Sequence, residues 1–122
     1  MPLHIINLFK TIESLKKAKN FVQRLAKDGK TFLFIGTKLE AQENIAKQAL
    51  KCNSFYINYR WLGGMLSNWE TLQSRLVYLK KLEEQEIYET FNILSKKERV
   101  LRKKELENLR QHFNGIKNIK SL

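Results

Sequence analysis

The side chains best suited to contact another molecule are concentrated in the segment 58–69, whose sequence is NYRWLGGMLSNW. Arg60 carries a guanidinium that can bind a phosphate bidentately or stack on a base. The rings of Trp61 and Trp69 can stack as well. The two adjacent glycines permit a positive φ or a close approach of another backbone. The alternative is a turn whose aromatic side chains only anchor it by packing.

The charge of the chain favours an anionic partner. Lys and Arg together number 23, whereas Asp and Glu number 12, so the formal net charge is +11. Nucleic acid is the first class of partner that such an excess implies, and a membrane surface is the second. Because no apolar run approaches the roughly 20 residues of a spanning helix, we expect no membrane partner.

The candidate contacts with nucleic acid fall into several groups along the chain. Phosphates attract Lys and Arg on faces that pack against nothing else. For any single lysine the simpler interpretation is a solvated helix face, and Arg60 is the strongest individual candidate. The candidate RNA-binding residues are Arg60, Lys38, Trp61, Asn68, Lys96, Lys97, Arg99, Arg102, Lys103, Lys104, Arg110, Lys16, Lys17 and Lys19.

The sequence predicts no catalytic site, metal site or cofactor. His4 and His112 lie far apart, without Cys or carboxylate at the spacing of metal ligands. Cys52 is the only cysteine, which excludes an internal disulfide and fits a reducing compartment. The Gly-Thr-Lys turn at 36–38 lacks the remaining glycines of a phosphate-binding loop. This turn is either a contact for an RNA phosphate or a plain connection from strand to helix.

Strands and helices alternate in the first half of the chain. Continuous apolar runs typical of buried strands are followed by apolar residues at helical spacing. The predicted strands are 3–7, 31–35 and 54–58. One helix runs from about Thr11 to a stop at Asp28 and Gly29, and another opens with a capping box of Thr37 and Glu40. This alternation predicts a βαβαβ arrangement with a parallel sheet.

Two amphipathic helices follow in the second half. Ser67 with Glu70 and Ser95 with Glu98 have the spacing of capping boxes at the two helix starts. The apolar residues at helical spacing are Trp69, Leu72, Leu76 and Leu79 in the first helix, and Leu106, Leu109 and Phe113 in the second. The pattern breaks only briefly between the helices, which predicts an antiparallel, coiled-coil-like helical hairpin.

The segment 58–66 resembles the hallmark of the ribosomal protein S2 family (uS2) of bacterial and organellar small subunits. Other blocks match the family in its order and at similar spacing: 4–8, 34–38, 95–98 and 115–117. The segment 51–56 is most similar to plastid-encoded members. The resemblance therefore covers essentially the whole chain.

The resemblance implies an α/β fold, with a partial flavodoxin-like parallel sheet and an inserted antiparallel helical hairpin. We expect an α/β core at 1–66, the hairpin at 67–114 and, at 115–122, a return segment toward a further strand. Family members have residues before the block at 4–8 and continue beyond the block at 115–117. The chain is therefore expected to be a truncated, split or incomplete S2. A second polypeptide, a missing segment or the ribosome would then complete the open sheet.

The function that the resemblance implies is that of a structural constituent of the small ribosomal subunit, with no enzymatic activity. Its expected partners are small-subunit rRNA, bound through basic surfaces, and neighbouring small-subunit proteins. A plastid ribosome is the expected location, with a mitochondrion or the bacterial cytoplasm as alternatives. Two other functions stay open: a nucleotide-binding α/β enzyme domain, which the fold alone permits, and an S2-derived fragment with an assembly role away from the ribosome.

Overall fold

The computed structural model describes residues 3–60, 63, 66–87 and 95–120. The contacts within the chain divide it into two compact units, Met1–Phe32 and Leu33–Leu122. The first unit contains one helix, and the second contains the sheet and the other helices.

The first unit is built around helix α1, Leu8–Lys27. Asn7 caps its N-terminus, because the Asn7 side chain accepts a hydrogen bond of 3.0 Å from the N–H of Phe9. The helix ends at Lys27, and Gly29, which follows the C-cap residue Asp28, has a φ of 73° that suits glycine. None of the residues of α1 is buried, so local hydrogen bonds and capping hold it in shape.

Residues 3–7, predicted as the first strand, are not a strand in the structure. A strand requires a hydrogen-bonded neighbour, and no described strand pairs with this segment. Leu3 and Ile5 are each 92% exposed, so the apolar run is not buried either. The helix also begins earlier than the predicted start near Thr11, since Asn7 supplies the cap.

The second unit contains a parallel sheet. Strand β1, Leu33–Ile35, pairs in parallel with strand β2, Phe55–Ile57. Helix α2, Leu39–Lys51, connects them and contacts both. The described part of the sheet therefore has two strands, both within the predicted segments but shorter. The predicted α/β class with a partial, flavodoxin-like parallel sheet is confirmed.

Helix α2 does not begin with the predicted capping box. Its N-cap is Lys38, which makes no side-chain capping hydrogen bond. The Gly36 N–H donates to the Ile57 carbonyl oxygen at 3.0 Å, and Gly36 lies directly against Ile45 of α2. This tight packing fixes the turn at Gly36. Helix α2 therefore begins at Leu39, one residue later than a cap at Thr37 would require.

Helix α3, Trp69–Ile87, and helix α4, Lys96–Phe113, follow the sheet. A 3₁₀ turn at Asn114–Ile116 continues directly from α4 and contacts β2. The two helices predicted from the sequence are thus confirmed, whereas residues 88–94 between them lie outside the described part of the chain.

The caps of these helices agree with the prediction in one case and differ in the other. Ser95 accepts a hydrogen bond of 3.3 Å from the N–H of Glu98, as predicted for α4. At α3 the capping side chain is that of Asn68, which accepts from the N–H of Thr71 at 3.4 Å. The helix therefore starts one residue later than a cap at Ser67 would require, because asparagine caps as well as serine does.

One apolar cluster joins β2, α3, α4 and the 3₁₀ turn. The predicted apolar faces of both helices point into it, and Trp69 packs against it. The buried members of the cluster are Ile57, Leu72, Leu76, Leu79, Leu82, Leu106, Leu109, Phe113 and Ile116. The core of this unit is therefore shared by helices and sheet.

The polar contacts between α3 and α4 do not follow the order of a regular antiparallel hairpin. Tyr78 of α3 contacts Arg102 of α4, and Glu83 and Glu86 both contact Arg110. Later residues of α3 thus meet later residues of α4, whereas an antiparallel pair would reverse the order. The physical reason is the shared cluster, because both helices pack against β2 and the 3₁₀ turn as well as each other.

Gly115→Ala is expected to destabilise the second unit. A Cβ at this position would overlap the carbonyl oxygen of Tyr56 and lie 2.6 Å from its ring atom Cδ2. We expect the free energy of unfolding to fall by about 1–3 kcal/mol, as in other overpacked sites. Urea unfolding followed by tryptophan fluorescence measures it. Gly63→Ala is the matched control, because a Cβ there meets no atom of the described residues within 4 Å. Equal losses in both variants would contradict the close packing at Gly115.

Candidate nucleic-acid interface

Helix α4 presents a row of lysines to solvent. Lys96 and Lys103 lie seven residues apart, as do Lys97 and Lys104, so a helix of 3.6 residues per turn places each pair on the same side. All of them are exposed. The opposite side of the helix is buried in the apolar cluster. We call Lys96, Lys97, Lys103 and Lys104 the lysine face.

The three arginines of α4 in the candidate set are directed toward the protein instead. Arg99, Arg102 and Arg110 are each only partly exposed. Arg102 donates from Nη1 to the hydroxyl of Tyr78 at 3.2 Å. The Nε atom of Arg99 is buried and has no hydrogen-bond partner among the described residues. The charge of α4 is therefore divided: the lysine face is exposed, whereas Arg102 and Arg110 contact α3.

Arg110 belongs to an ion-pair network centred on Glu83. The two oxygens of Glu83 accept from Arg110 Nε at 3.3 Å and from Lys117 Nζ at 3.2 Å. Glu86 accepts from Arg110 Nη2 at 3.2 Å. Burial lowers the pKa of Arg110, but hydrogen bonds and charge from Glu86 and Glu83 outweigh it, so the pKa is raised. The network joins α3, α4 and the segment after the 3₁₀ turn.

The start of the segment 58–69 is attached to two helices. The side-chain amide of Asn58 donates to the Gln42 carbonyl oxygen of α2 at 2.9 Å. The ring of Tyr59 meets His112 of α4 edge to face, with 4.8 Å between ring centroids and 87° between planes. Arg60 follows and is exposed. Trp61 lies outside the described residues.

The other candidates occupy separate positions. Lys38 is exposed and, like Arg60, follows the carboxyl end of a strand in the parallel pair, so both lie at one edge of the sheet. Asn68 uses its side-chain oxygen to cap α3. A second group of exposed side chains lies on α1, in the first unit: Lys16, Lys17 and Lys19.

The family model for ribosomal protein S2 matches residues 2–122. The chain belongs to the ribosomal protein S2 family. Proteins named small ribosomal subunit protein uS2c are similar to it: those of Trieres chinensis, Phaeodactylum tricornutum and Porphyra purpurea are 52%, 50% and 47% identical over 120 residues, or 98% of this chain. The aligned region is 52%, 53% and 50% of those proteins, so the chain spans about half the length of the curated relatives it matches.

The sequence of this S2-family chain did not reveal the residues that hold its candidate side chains in place. Tyr78, Glu83 and His112 each contact a residue at least 24 positions away in sequence. The alternating charges of α3 and α4 are compatible with many pairings, so no local spacing identifies the correct ones.

In the described ranges, no helix is long and apolar enough to cross a membrane. Those ranges also contain no group of three or more potential metal ligands.

Glu83→Gln is expected to destabilise the S2-family chain, because Glu83 is only 16% exposed and neutralises two cations. The glutamine keeps the shape but leaves Arg110 and Lys117 without their shared carboxylate. We expect the free energy of unfolding in urea to fall by about 1–2 kcal/mol. Glu84→Gln removes the same charge from an exposed neighbour and should change it by less than about 0.5 kcal/mol. A Glu83 variant as stable as the Glu84 variant would show that the network does not stabilise the fold.

The stability of the chain is expected to depend on Tyr78 in alkaline solution. Burial raises the pKa of Tyr78 above its ordinary value of 10.0, and the hydrogen bond and charge of Glu105 raise it further, against the opposing effect of Arg102. The stabilisation from neutral Tyr78 is therefore complete below about pH 10 and is lost as the pH rises through the raised pKa.

Tyr78→Phe lacks this ionisation, and the remaining tyrosines serve as an internal control because they are common to both proteins. We expect the stability difference between the wild-type chain and the variant to shift in favour of the variant between about pH 8 and pH 11. The measurement is the urea free energy of unfolding at each pH. A difference that does not change with pH would contradict the raised pKa.

Proposed function

We propose that this chain is a structural, RNA-binding part of the small ribosomal subunit of a plastid. The observation that carries the proposal is the lysine face of α4 in a chain that belongs to the S2 family. The name of the relatives, small ribosomal subunit protein uS2c, supports the subunit. These relatives are chloroplast-encoded, which supports the plastid as the location.

The lysine face suits contact with the RNA backbone. An ammonium group is a compact charge on a flexible stem, so it neutralises phosphates without requiring one base sequence. Arg60 adds a planar guanidinium at the edge of the sheet, where Lys38 also lies. Lys16, Lys17 and Lys19 provide a second basic surface on α1. We assign Arg102 and Arg110 a structural role, because both are already hydrogen-bonded within the chain.

The remaining partners follow from the surfaces that the second unit leaves uncovered. Ile35 of β1 is 50% exposed, and Leu39 and Leu50 of α2 are exposed as well. A two-stranded sheet with such side chains is suited to extension by a further segment or a second polypeptide. We propose a division into a partial α/β core at 1–66, a helical hairpin at 67–114 and, at 115–122, a return segment toward a further strand. Neighbouring small-subunit proteins are the other proposed partners.

The proposed role is structural, as expected for a ribosomal protein family. Stabilising packed RNA requires charge and shape, but no acid, base or nucleophile. Nothing in the described contacts favours the alternative of a nucleotide-binding enzyme domain, and the turn at 36–38 packs its glycine against Ile45.

Co-sedimentation tests the proposal directly. The 122-residue chain is mixed with plastid small subunits from which uS2 has been removed, and the mixture is centrifuged through a density gradient in moderate salt. We expect the chain to travel with the subunits and to be released as salt increases, because binding releases counterions from the RNA. A chain that stays at the top of the gradient at every salt concentration would overturn the proposal.

The lysine face makes a further prediction about salt dependence. Lys103→Gln with Lys104→Gln removes two of its charges, and Lys47→Gln with Lys51→Gln removes two exposed charges from α2 as a matched control. For the first pair, the slope of log K against log salt should become less steep by about 1.4–1.8, which corresponds to two lost phosphate contacts. The control pair should change the slope by less than half of that. Filter binding to deproteinised small-subunit rRNA measures both slopes, and equal changes would contradict a dedicated lysine face.

A further inference from the structure

The two residues that precede Arg60 are each held by a different helix. The Asn58 side chain donates to α2 at Gln42, and the Tyr59 ring contacts α4 at His112. These contacts span 16 and 53 positions in sequence, so they are tertiary contacts rather than features of a local turn. The backbone therefore enters Arg60 from a fixed direction.

The imidazole of His112 is itself held in place. Its Nδ1 lies 2.8 Å from the carbonyl oxygen of Asn108, one turn earlier in α4. Because a carbonyl oxygen can only accept, Nδ1 carries the hydrogen and donates it. The neighbouring Phe113 is buried in the apolar cluster, with its ring centroid 6.1 Å from that of His112. A rigid helix thus supplies the surface against which Tyr59 rests.

Asn58 is attached by a hydrogen bond rather than a ring contact, and this bond also holds the main chain before Arg60. Its 2.9 Å hydrogen bond reaches a main-chain carbonyl of α2 from the residue directly after β2. Asn58 is partly buried, so the bond is shielded from competing water. Together the two attachments fix the main chain directly before Arg60, whose side chain is exposed.

We propose that Asn58, Tyr59 and His112 are positioning residues that hold Arg60 ready to bind an RNA phosphate. The proposal rests on the proposed RNA-binding function and deepens it. A guanidinium on an anchored backbone loses less conformational freedom on binding than one on a free loop, so more of the bidentate hydrogen-bond energy appears as affinity. The contact between Tyr59 and His112 acts on affinity through Arg60, without touching the RNA.

A double-mutant cycle on the full chain tests the coupling. The four proteins are the wild type, Arg60→Ala, His112→Ala and the double variant, and the probe is deproteinised plastid small-subunit rRNA at fixed salt. We expect Arg60→Ala to weaken binding about tenfold, as loss of one charge-assisted contact does. In the His112→Ala background, the same substitution should cost only about threefold, because Arg60 is no longer held.

Matched variants separate this coupling from a general loss of structure. His112→Phe keeps an aromatic ring next to Tyr59 and should restore most of the Arg60 effect. Tyr59→Ala removes the other ring of the pair and should reproduce the reduced effect, even if His112→Ala fails to fold. Lys104→Ala combined with His112→Ala should be additive, because Lys104 lies two turns away along α4.

The outcomes distinguish the positioning of Arg60 from the broader proposal that the chain binds rRNA. The positioning role would be overturned if the loss of rRNA affinity from Arg60→Ala were additive with that from His112→Ala and with that from Tyr59→Ala, in variants that still bind rRNA. That result would leave the proposed RNA binding intact. Unchanged affinity in Arg60→Ala would also overturn it. A wild-type chain that binds no rRNA would refute the proposed function itself. A reduced Arg60 effect in both ring variants, with rescue by His112→Phe, supports the positioning role.

Discussion

The second unit depends on one contact, in which the 3₁₀ turn after α4 closes against β2. Gly115 lies so near Tyr56 that no side chain fits between them. Ile116 and Ile57 are consequently buried in the same cluster. Burying one large aliphatic side chain contributes about 1.5–3 kcal/mol, so several such side chains in one cluster define the orientation of both long helices. The exposed sides of those helices are then fixed.

The division of charge on α4 follows from that packing. Side chains on the flanks of the buried face reach neighbouring elements, and there arginine is better suited than lysine, since its planar group can donate to two partners at once. Arg110 does so with Glu83 and Glu86. The four residues of the lysine face are instead exposed. Glu83 and Glu86 of α3 thus neutralise Arg110 at the helix contact, and the charges of the lysine face remain exposed.

Regular local patterns allowed much of the fold to be predicted from the sequence. The apolar residues of α3 and α4 recur at helical spacing, and Ser95 with Glu98 marks a helix start; both features are found in the structure. The segment 3–7 failed because an apolar run does not reveal whether a partner strand is present. Ser67 was predicted as the cap of α3, but the adjacent Asn68 is the cap, because asparagine caps as well as serine does.

The candidate site was less predictable than the fold. Composition identified a set of basic candidates, but it could not separate Lys103, which faces solvent, from Arg102, which faces Tyr78. That distinction depends on the angle at which α4 meets its neighbours. The contact of Tyr59 with His112 joins residues from opposite halves of the chain, and a single sequence contains no local signal for it.

Helix α1 of the first unit differs from the α-helices of the second unit in having no buried residue. A helix of this length without tertiary packing is only marginally stable in water. Its amide hydrogens should therefore exchange with solvent far faster than those of α3 or α4, whose leucines are covered. Any surface that covers Ile12, Leu15 and Val22 would slow that exchange, so the protection of α1 would report on the assembly state of the chain.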